Sequence, residues 1–351
     1  LCDWSSDVCS SDLIENDGVD AWEKFGEKGS SVLEDLGKQI AYSLFFSDKF
    51  KRLQADLEKI YGSGKTEEEI AKEARDLVSS FYQGIGTDMN NAQQWMEHCL
   101  EQAQSRACAQ AFSHLLPDAA RTQAAATPSH MLLGGLAVSV KDLFDVQGLP
   151  TRASARVLAQ AQPALHDSPA VARLRAAGAA FIGKTHMVEF AFSGVGTNPH
   201  YGTPAAWDGR FGALTGEPRV PGGSSSGAAV SVATGAAFAA LGSDTGGSLR
   251  IPAALCGIVG FKATARLVPT AGTIPLSTTL DTAGALTRSV RDALLLHEIL
   301  AQRRVTRSTA PLSAWRLAVP HSVMLDGLEP HVAQVFQRTL HALRQAGARI
   351  D

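Results

Sequence analysis

Two serines and one lysine in this sequence have the residue types and spacing of a proton relay that uses neither histidine nor metal. Ser224 and Ser248 lie in glycine-rich surroundings 24 positions apart, and Lys141 lies 83 positions before Ser224. The stretch between the serines is long enough for a helix and a strand to leave one turn and return beside it. One serine would then attack a carbonyl carbon while the lysine, acting through the other serine, accepts the proton.

The turn that ends at Ser248 is suited to bond cleavage. The residues Asp244-Thr245-Gly246-Gly247-Ser248 follow the apolar run Ala236–Leu241, so we expect a strand that ends in a tight turn and presents a hydroxyl. Glycine reaches backbone angles that other residues avoid, and the N–H groups of such a turn can converge on an oxyanion. An anion-binding or purely structural turn is the alternative, because glycine-rich loops often follow strands.

The surroundings of Ser224 and Lys141 leave two interpretations open for each. Ser224 belongs to a serine cluster in Pro221–Gly227 that precedes a helix of small residues, Ala228–Thr234, where serine commonly caps the helix. Lys141 follows an apolar alternation, so we expect it to be partly buried, and burial lowers the pKa of lysine from about 10.4. A neutral lysine is a base; the alternative is an ordinary ion pair with Asp142 or another carboxylate.

The elements that would position these residues alternate between helix and strand from Trp95 onward. Such alternation indicates a largely parallel sheet that is covered on both faces. A serine followed by proline predicts the start of the helix at Ser168. The predicted helices are Trp95–Ala120, Ser168–Ala177 and Pro330–Gln345, and the predicted strands are Leu136–Val140, Ala179–Ile182, Arg316–Val319 and Ala348–Ile350.

Five segments together resemble the amidase signature family. The resemblance covers roughly Cys99 to Asp351 and implies an α/β fold, an α/β/α sandwich with a mixed, largely parallel central sheet, here preceded by a helical extension. The segments are VSVKDLFDVQGLPT (138–151), KTHMVEFAFSG (184–194), NPHYGTP (198–204), PGGSSSGAAV (221–230) and GSDTGGSLRIPAALCGIVGFKAT (242–264).

The resemblance implies a Ser–cisSer–Lys triad, in which Lys141 matches the lysine, Ser224 the bridging serine and Ser248 the nucleophile. The implied reaction is hydrolysis of a carboxylic amide or ureide C–N bond through an acyl-serine intermediate. It releases ammonia or an amine and requires no metal or organic cofactor. The supporting groups that the resemblance implies are the oxyanion-hole N–H groups of Thr245, Gly246, Gly247 and Ser248, the hydroxyl of Ser225, and Asp244 and Arg250, which would brace the loop.

Within this family the segment 267–286, LVPTAGTIPLSTTLDTAGAL, is more similar to small-amide and ureide hydrolases than to the glutamyl-tRNA amidotransferase subunit. An amidotransferase subunit that works with a partner is one alternative, and an inactive chimeric fragment is another. Co-purification of a stable partner would favour the amidotransferase.

Composition excludes several classes of partner. The chain has 351 residues and a net charge of −3, which gives no electrostatic basis for binding nucleic acid or an anionic membrane. Its longest small-apolar run, Ala228–Leu241, is too short to span a bilayer. Five scattered cysteines show neither metal-ligand spacing nor a disulfide framework, which predicts a cytoplasmic protein. We expect a small-molecule amide substrate, with a homo-oligomer or an amidotransferase partner subunit left open.

The chain divides into three pieces of different character. Asp3–Leu13 reads DWSSDVCSSDL, which matches the translation of a common sequencing-library adapter, so we interpret residues 1–13 as an artefact. In 14–94 lysine outnumbers arginine 8 to 2, whereas in 95–351 the counts are 3 and 19. We therefore expect 14–94 to be a foreign helical segment, with an interaction domain as the alternative, and 95–351 to be an amidase signature domain. The sequence ends just as a strand begins, which predicts a truncated domain with an incomplete sheet.

Overall fold

Apolar segments after residue 110 build a six-stranded sheet with helices between its strands. The computed structural model describes residues 92–351, except 129–130, 209–211, 214–216, 307 and 322–324, together with ten helical positions between 56 and 77. The strands are β1 (Phe112–Leu115), β2 (Ala137–Lys141), β3 (Ala180–Thr185), β4 (Trp207–Asp208), β5 (Gly212–Ala213), β6 (Ala239–Asp244), β7 (Val259–Phe261), β8 (Thr282–Thr287), β9 (Arg316–Leu317) and β10 (Arg349–Ile350). The helices are α1 (Ala92–Gln104), α2 (Pro117–Ala126), α3 (Pro169–Ala176), α4 (Ser226–Ala233), α5 (Arg250–Cys256), α6 (Val290–Ala301) and α7 (Pro330–Gln345).

The main sheet has the strand order β1-β3-β2-β6-β8-β7. β2 pairs in parallel with β3 and β6, whereas β1, β8 and β7 join by antiparallel pairing. Four of its six strands, β2, β3, β6 and β7, therefore point the same way, which confirms the predicted mixed, largely parallel sheet. Parallel neighbours need crossover connections, and α3 supplies one between β2 and β3.

Helices cover both faces of this sheet, as predicted for an α/β/α sandwich. α1, α2, α4 and α5 share one apolar core, and α3 and α6 share the other. β2 contributes to both, since Ala137 belongs to the first core and Val140 to the second. Ser139 follows the same alternation and hydrogen-bonds Ser231 of α4 at 2.8 Å. Side chains alternate along a strand, so Lys141 is directed toward the α4 side of the sheet.

One predicted helix is replaced by three elements. The prediction of a helix over Trp95–Ala120 is wrong, because α1 ends at Gln104, β1 follows, and α2 begins at Pro117. β1 pairs with β3 at the edge of the sheet, a non-local contact that overrides helix propensity. Pro117 occupies the first turn of α2. It was the local signal for a break, because proline inside a helix removes a hydrogen bond.

The other predicted elements are found with boundaries within three residues. Residues Arg304–Asp351 belong to a separate compact unit, in which α7 has its predicted bounds and β9 and β10 form a parallel pair. Positions 69, 70, 72–74, 76 and 77 are helical, with Ala74 buried. The adapter-like segment 1–13 lies outside the described residues.

Candidate active site

Lys141 occupies the end of β2, where its side chain is fully buried. Its Nζ atom is hydrogen-bonded to Ser224 Oγ at 2.6 Å and to Ser243 Oγ at 2.9 Å. Burial lowers the pKa of Lys141 to about 7, and the charges of Asp244 and Asp281 oppose only part of that shift. Near neutral pH a large share of molecules therefore carries the unprotonated amine, which is the form that a general base requires.

The carboxylate that follows Lys141 in sequence does not pair with it. Asp142 Oδ1 lies 2.8 Å from Lys184 Nζ, and both side chains are almost completely buried. β2 and β3 pair with Val140 opposite Lys184, so Lys184 reaches Asp142 across the ends of two neighbouring strands. The ion pair between Lys141 and Asp142 that the sequence left open is therefore not formed.

The backbone before α4 delivers Ser224 to Lys141. The Gly223–Ser224 peptide bond is cis. Gly223 N donates to Gly194 O at 2.9 Å, and Ser224 O accepts from Val188 N at 3.1 Å. A Cβ atom on Gly223 would lie 2.8 Å from the Val188 side chain, so glycine is needed where these segments meet. Ser225 is the N-cap residue of α4, but its side chain makes no capping hydrogen bond.

The turn that carries Ser248 is organised around one carboxylate. Asp244 is fully buried and accepts hydrogen bonds from Gly247 N at 2.9 Å and Leu249 N at 3.1 Å. Arg250 adds two more, from Nε at 3.0 Å and Nη2 at 2.8 Å. Burial pushes the pKa of the Asp244 carboxyl upward, but the hydrogen bonds from Arg250 and Leu249 outweigh it and hold that pKa below its usual range. An ionised Asp244 thus holds the turn in shape.

One of the four N–H groups expected to form an oxyanion hole is already engaged. Gly247 N–H points at Asp244 Oδ1, and an ionised carboxylate is a strong hydrogen-bond acceptor. The Gly247 N–H group thus braces the turn in this structure, and its predicted part in an oxyanion hole stays a prediction. The N–H groups of Thr245, Gly246 and Ser248 remain as candidates.

Ser248 is held beside Ser225, the residue that follows Ser224. Ser248 is buried, with 6% of its surface exposed, and its backbone carbonyl accepts a hydrogen bond from Ser225 N at 3.3 Å. The Ser225 hydroxyl donates to Ser243 O at 3.4 Å, so Ser225 connects the Ser248 turn to β6. Within the described part of the chain, no hydrogen bond joins the hydroxyls of Ser224 and Ser248. Catalytic hydrogen bonds often close only when substrate is bound.

Two residues of this site were missed from the sequence. Ser243 is the second hydroxyl at Lys141, and its position one residue before Asp244 at a strand end was the available signal. Asp281 accepts from Thr245 Oγ1 at 2.5 Å and from the N–H groups of Leu276 and Ser277. It ties the segment before β8 to the turn that carries Ser248, beside a small cavity that Ser243 and Thr245 also line. No local pattern pointed to Asp281.

The part of the chain that the structure describes contains neither a metal-binding cluster nor a membrane-spanning helix. No group of three or more His, Cys, Asp or Glu side chains there is arranged to hold a metal ion. None of the helices there is long and apolar enough to cross a bilayer.

A family model described as Amidase matches residues 94–351. The chain belongs to the amidase family. The 2-amino-5-chloromuconic acid deaminase of Comamonas testosteroni is 41% identical over 265 residues, which are 69% of this chain and 56% of that protein. A glutamyl-tRNA(Gln) amidotransferase subunit of Syntrophobacter fumaroxidans (strain DSM 10017 / MPOB) is 36% identical over 233 residues, 62% of this chain and 46% of that protein.

A solved amidase structure superposes on this amidase-family chain with a TM-score of 0.66 and 38% identity, over 74% of this chain and 59% of that one. The family and the α/β fold predicted from the sequence are thereby confirmed. The chain spans about half the length of the curated relatives that it matches.

Proposed function

We propose that this chain hydrolyses a carboxylic amide C–N bond through an acyl-serine intermediate, with Ser248 as nucleophile, Ser224 as proton bridge and Lys141 as base. The observation that carries the proposal is the 2.6 Å hydrogen bond between Lys141 Nζ and Ser224 Oγ in a fully buried setting. The pKa of about 7 at Lys141 supports it. Because the chain spans about half of its relatives, the activity of the whole protein is part of the proposal.

The first chemical step forms the Ser248 Oγ–carbon bond. The neutral Lys141 amine takes the Ser224 proton while Ser224 Oγ takes the proton of Ser248, and Ser248 Oγ attacks the amide carbonyl. Electrons move onto the carbonyl oxygen, which becomes an oxyanion. The same relay then returns a proton to the amide nitrogen, the C–N bond breaks, and ammonia or an amine leaves. Water repeats the attack on the acyl-serine and releases the carboxylic acid.

Charge stabilisation is assigned to the turn between β6 and α5. The N–H groups of Thr245, Gly246 and Ser248 are proposed to hold the oxyanion, which is the group whose charge grows in the transition state. Asp244 and Arg250 position these donors, since their contacts fix the turn. Ser225 supports the same arrangement by joining the turn to β6.

An amidotransferase subunit is the second candidate, and the glutamyl-tRNA(Gln) amidotransferase relatives favour it. In that case the released ammonia passes to an acceptor on a partner subunit. Ammonia release from a small amide by the chain alone would favour the hydrolase. Release that requires an added partner would favour the amidotransferase. For either reaction we propose a small-molecule amide or ureide substrate and a cytoplasmic location.

A fluorophosphonate probe tests the chemistry, because it phosphonylates an activated serine. We expect labelling of Ser248, found by mass spectrometry of the digested protein. Labelling should be lost in Ser248→Ala and strongly slowed in Lys141→Met and Ser224→Ala. Ser226→Ala is the matched control, since the hydroxyl of this neighbouring serine donates to His186 O, at 3.5 Å, and the variant should label at the wild-type rate. Labelling that persists in Ser248→Ala would refute the assignment.

A further inference from the structure

We infer that Lys184 is a positioning residue for this reaction: it binds the Asp142 carboxylate and thereby keeps that negative charge from acting on Lys141. The inference rests on the function proposed above. It concerns a buried ion pair that the reaction steps do not use.

The contacts of Lys184 account for its whole ammonium group. Nζ lies 2.8 Å from Asp142 Oδ1, 3.2 Å from Pro150 O and 3.3 Å from Thr151 Oγ1. The backbone of Asp142 is held as well, because its N–H donates to Thr185 O and its carbonyl accepts from Ala153 N. The carboxylate is thus fixed toward β3 and the loop after β2. Its neighbour Lys141 meets two hydroxyls instead.

The two carboxylates whose charges act on Lys141, Asp244 and Asp281, each have donors of their own. Asp244 is bound by Arg250 and by backbone N–H groups, and Asp281 by Thr245 Oγ1 and two backbone N–H groups. Asp142 has Lys184. A free carboxylate beside a buried amine would favour the ammonium form, because charges interact strongly where water is excluded. By pairing with Asp142, the residue that follows Lys141, Lys184 keeps that carboxylate from favouring the ammonium form of Lys141.

Other charged groups face the pair from neighbouring segments. In the loop after β2, the charge of Asp145 raises the pKa of Lys184 and that of Arg152 lowers it. The charge of Asp142 raises the pKa of His186, which follows β3, against the larger lowering by burial. Burial lowers the pKa of Lys184, and Asp142 opposes that shift. These groups are common to all the variants below, so differences between variants report the pair itself.

The experiment measures the rate of Ser248 phosphonylation by a fluorophosphonate from about pH 5 to about pH 9 in the full chain. In Lys184→Met the unpaired Asp142 should shift the acid limb of the pH–rate profile to higher pH by about one unit. In Asp142→Asn the unpaired Lys184 should shift the same limb to lower pH. The double variant, which keeps the shape of the pair without its charge, should restore the wild-type limb.

If the pair has a purely structural role, labelling should be slower in both single variants, but the acid limbs of their pH–rate profiles should not shift in opposite directions. Acid limbs that stay in place or shift in the same direction would therefore overturn the inference. If the single variants do not fold, as judged by circular dichroism, the double variant decides. A displacement of its limb by more than about half a pH unit would then count against the inference. Failure of the wild-type chain to be labelled at Ser248 would instead refute the proposed function.

Discussion

Ser243 Oγ lies 2.9 Å from Lys141 Nζ, on the strand adjacent to the one that carries the lysine. A neutral amine has two N–H donors and one lone pair. When one N–H group is donated to Ser243, the lone pair can face Ser224, as acceptance of its proton requires. Ser243 would then orient the base as a carboxylate orients histidine in the Ser-His-Asp triad.

Removing the Ser243 hydroxyl should slow activation of Ser248 while leaving the side chains of Lys141, Ser224 and Ser248 in place. We expect Ser243→Ala to lower the rate of fluorophosphonate labelling about tenfold or more. Ser243→Thr keeps a hydroxyl at the same position and should retain most of the rate. A wild-type rate in Ser243→Ala would show that the contact does not orient the lysine.

The labelling rate of the wild-type chain should rise with pH and level off above about 7. The pKa of Lys141 is lowered to about 7 by burial, so the amine is mostly unprotonated at higher pH. A lysine with its ordinary pKa of 10.5 would still gain about tenfold per pH unit at pH 9. Rates measured between about pH 5 and pH 9 distinguish the two profiles, and a continued rise would contradict a depressed pKa.

Lys141→Met should be more stable than wild type at neutral pH and should lose that advantage as the pH rises. The folded-state pKa of about 7 lies below the unfolded value of 10.5. Between these values the unfolded chain binds more protons, so the stability of the wild type increases with pH. The full effect is bounded at about 5 kcal/mol. Urea unfolding of both proteins at several pH values measures it, and a difference that does not vary with pH would refute it.

Arg250→Met should lower both stability and labelling. It removes two hydrogen bonds from the fully buried Asp244, at an expected cost of about 1–3 kcal/mol in unfolding free energy. Arg250→Lys keeps the charge without the two-pronged geometry and should be intermediate. Arg316→Met is the matched control, because its partner Asp351 is exposed and surface pairs contribute about 0–1 kcal/mol. Equal losses in Arg250→Met and Arg316→Met would contradict the bracing role.

Prediction of secondary structure from the sequence succeeded where the signal was local. The Gly/Ser-rich turns around Ser224 and Ser248 and the apolar run before Lys141 are each readable within about ten residues. The helices that start at Pro169 and Pro330 were signalled by proline in the first turn. The strand β1 was predicted as helix, since its strand character comes from pairing with β3, a segment some 70 residues away.

Residue types and spacing pointed to two serines and one lysine as a possible proton relay, because the motifs that hold them are continuous in the chain. The resemblance to the amidase signature family supplied the candidate roles of nucleophile, bridging serine and base. The tertiary structure decided which groups meet. The register of the sheet pairs Lys184 with Asp142, so that Lys141 hydrogen-bonds Ser224 and Ser243 instead. The same packing turned the N–H group of Gly247 toward Asp244. These choices depend on contacts between strands far apart in sequence and on the low polarity that burial creates, and neither is encoded in any single segment.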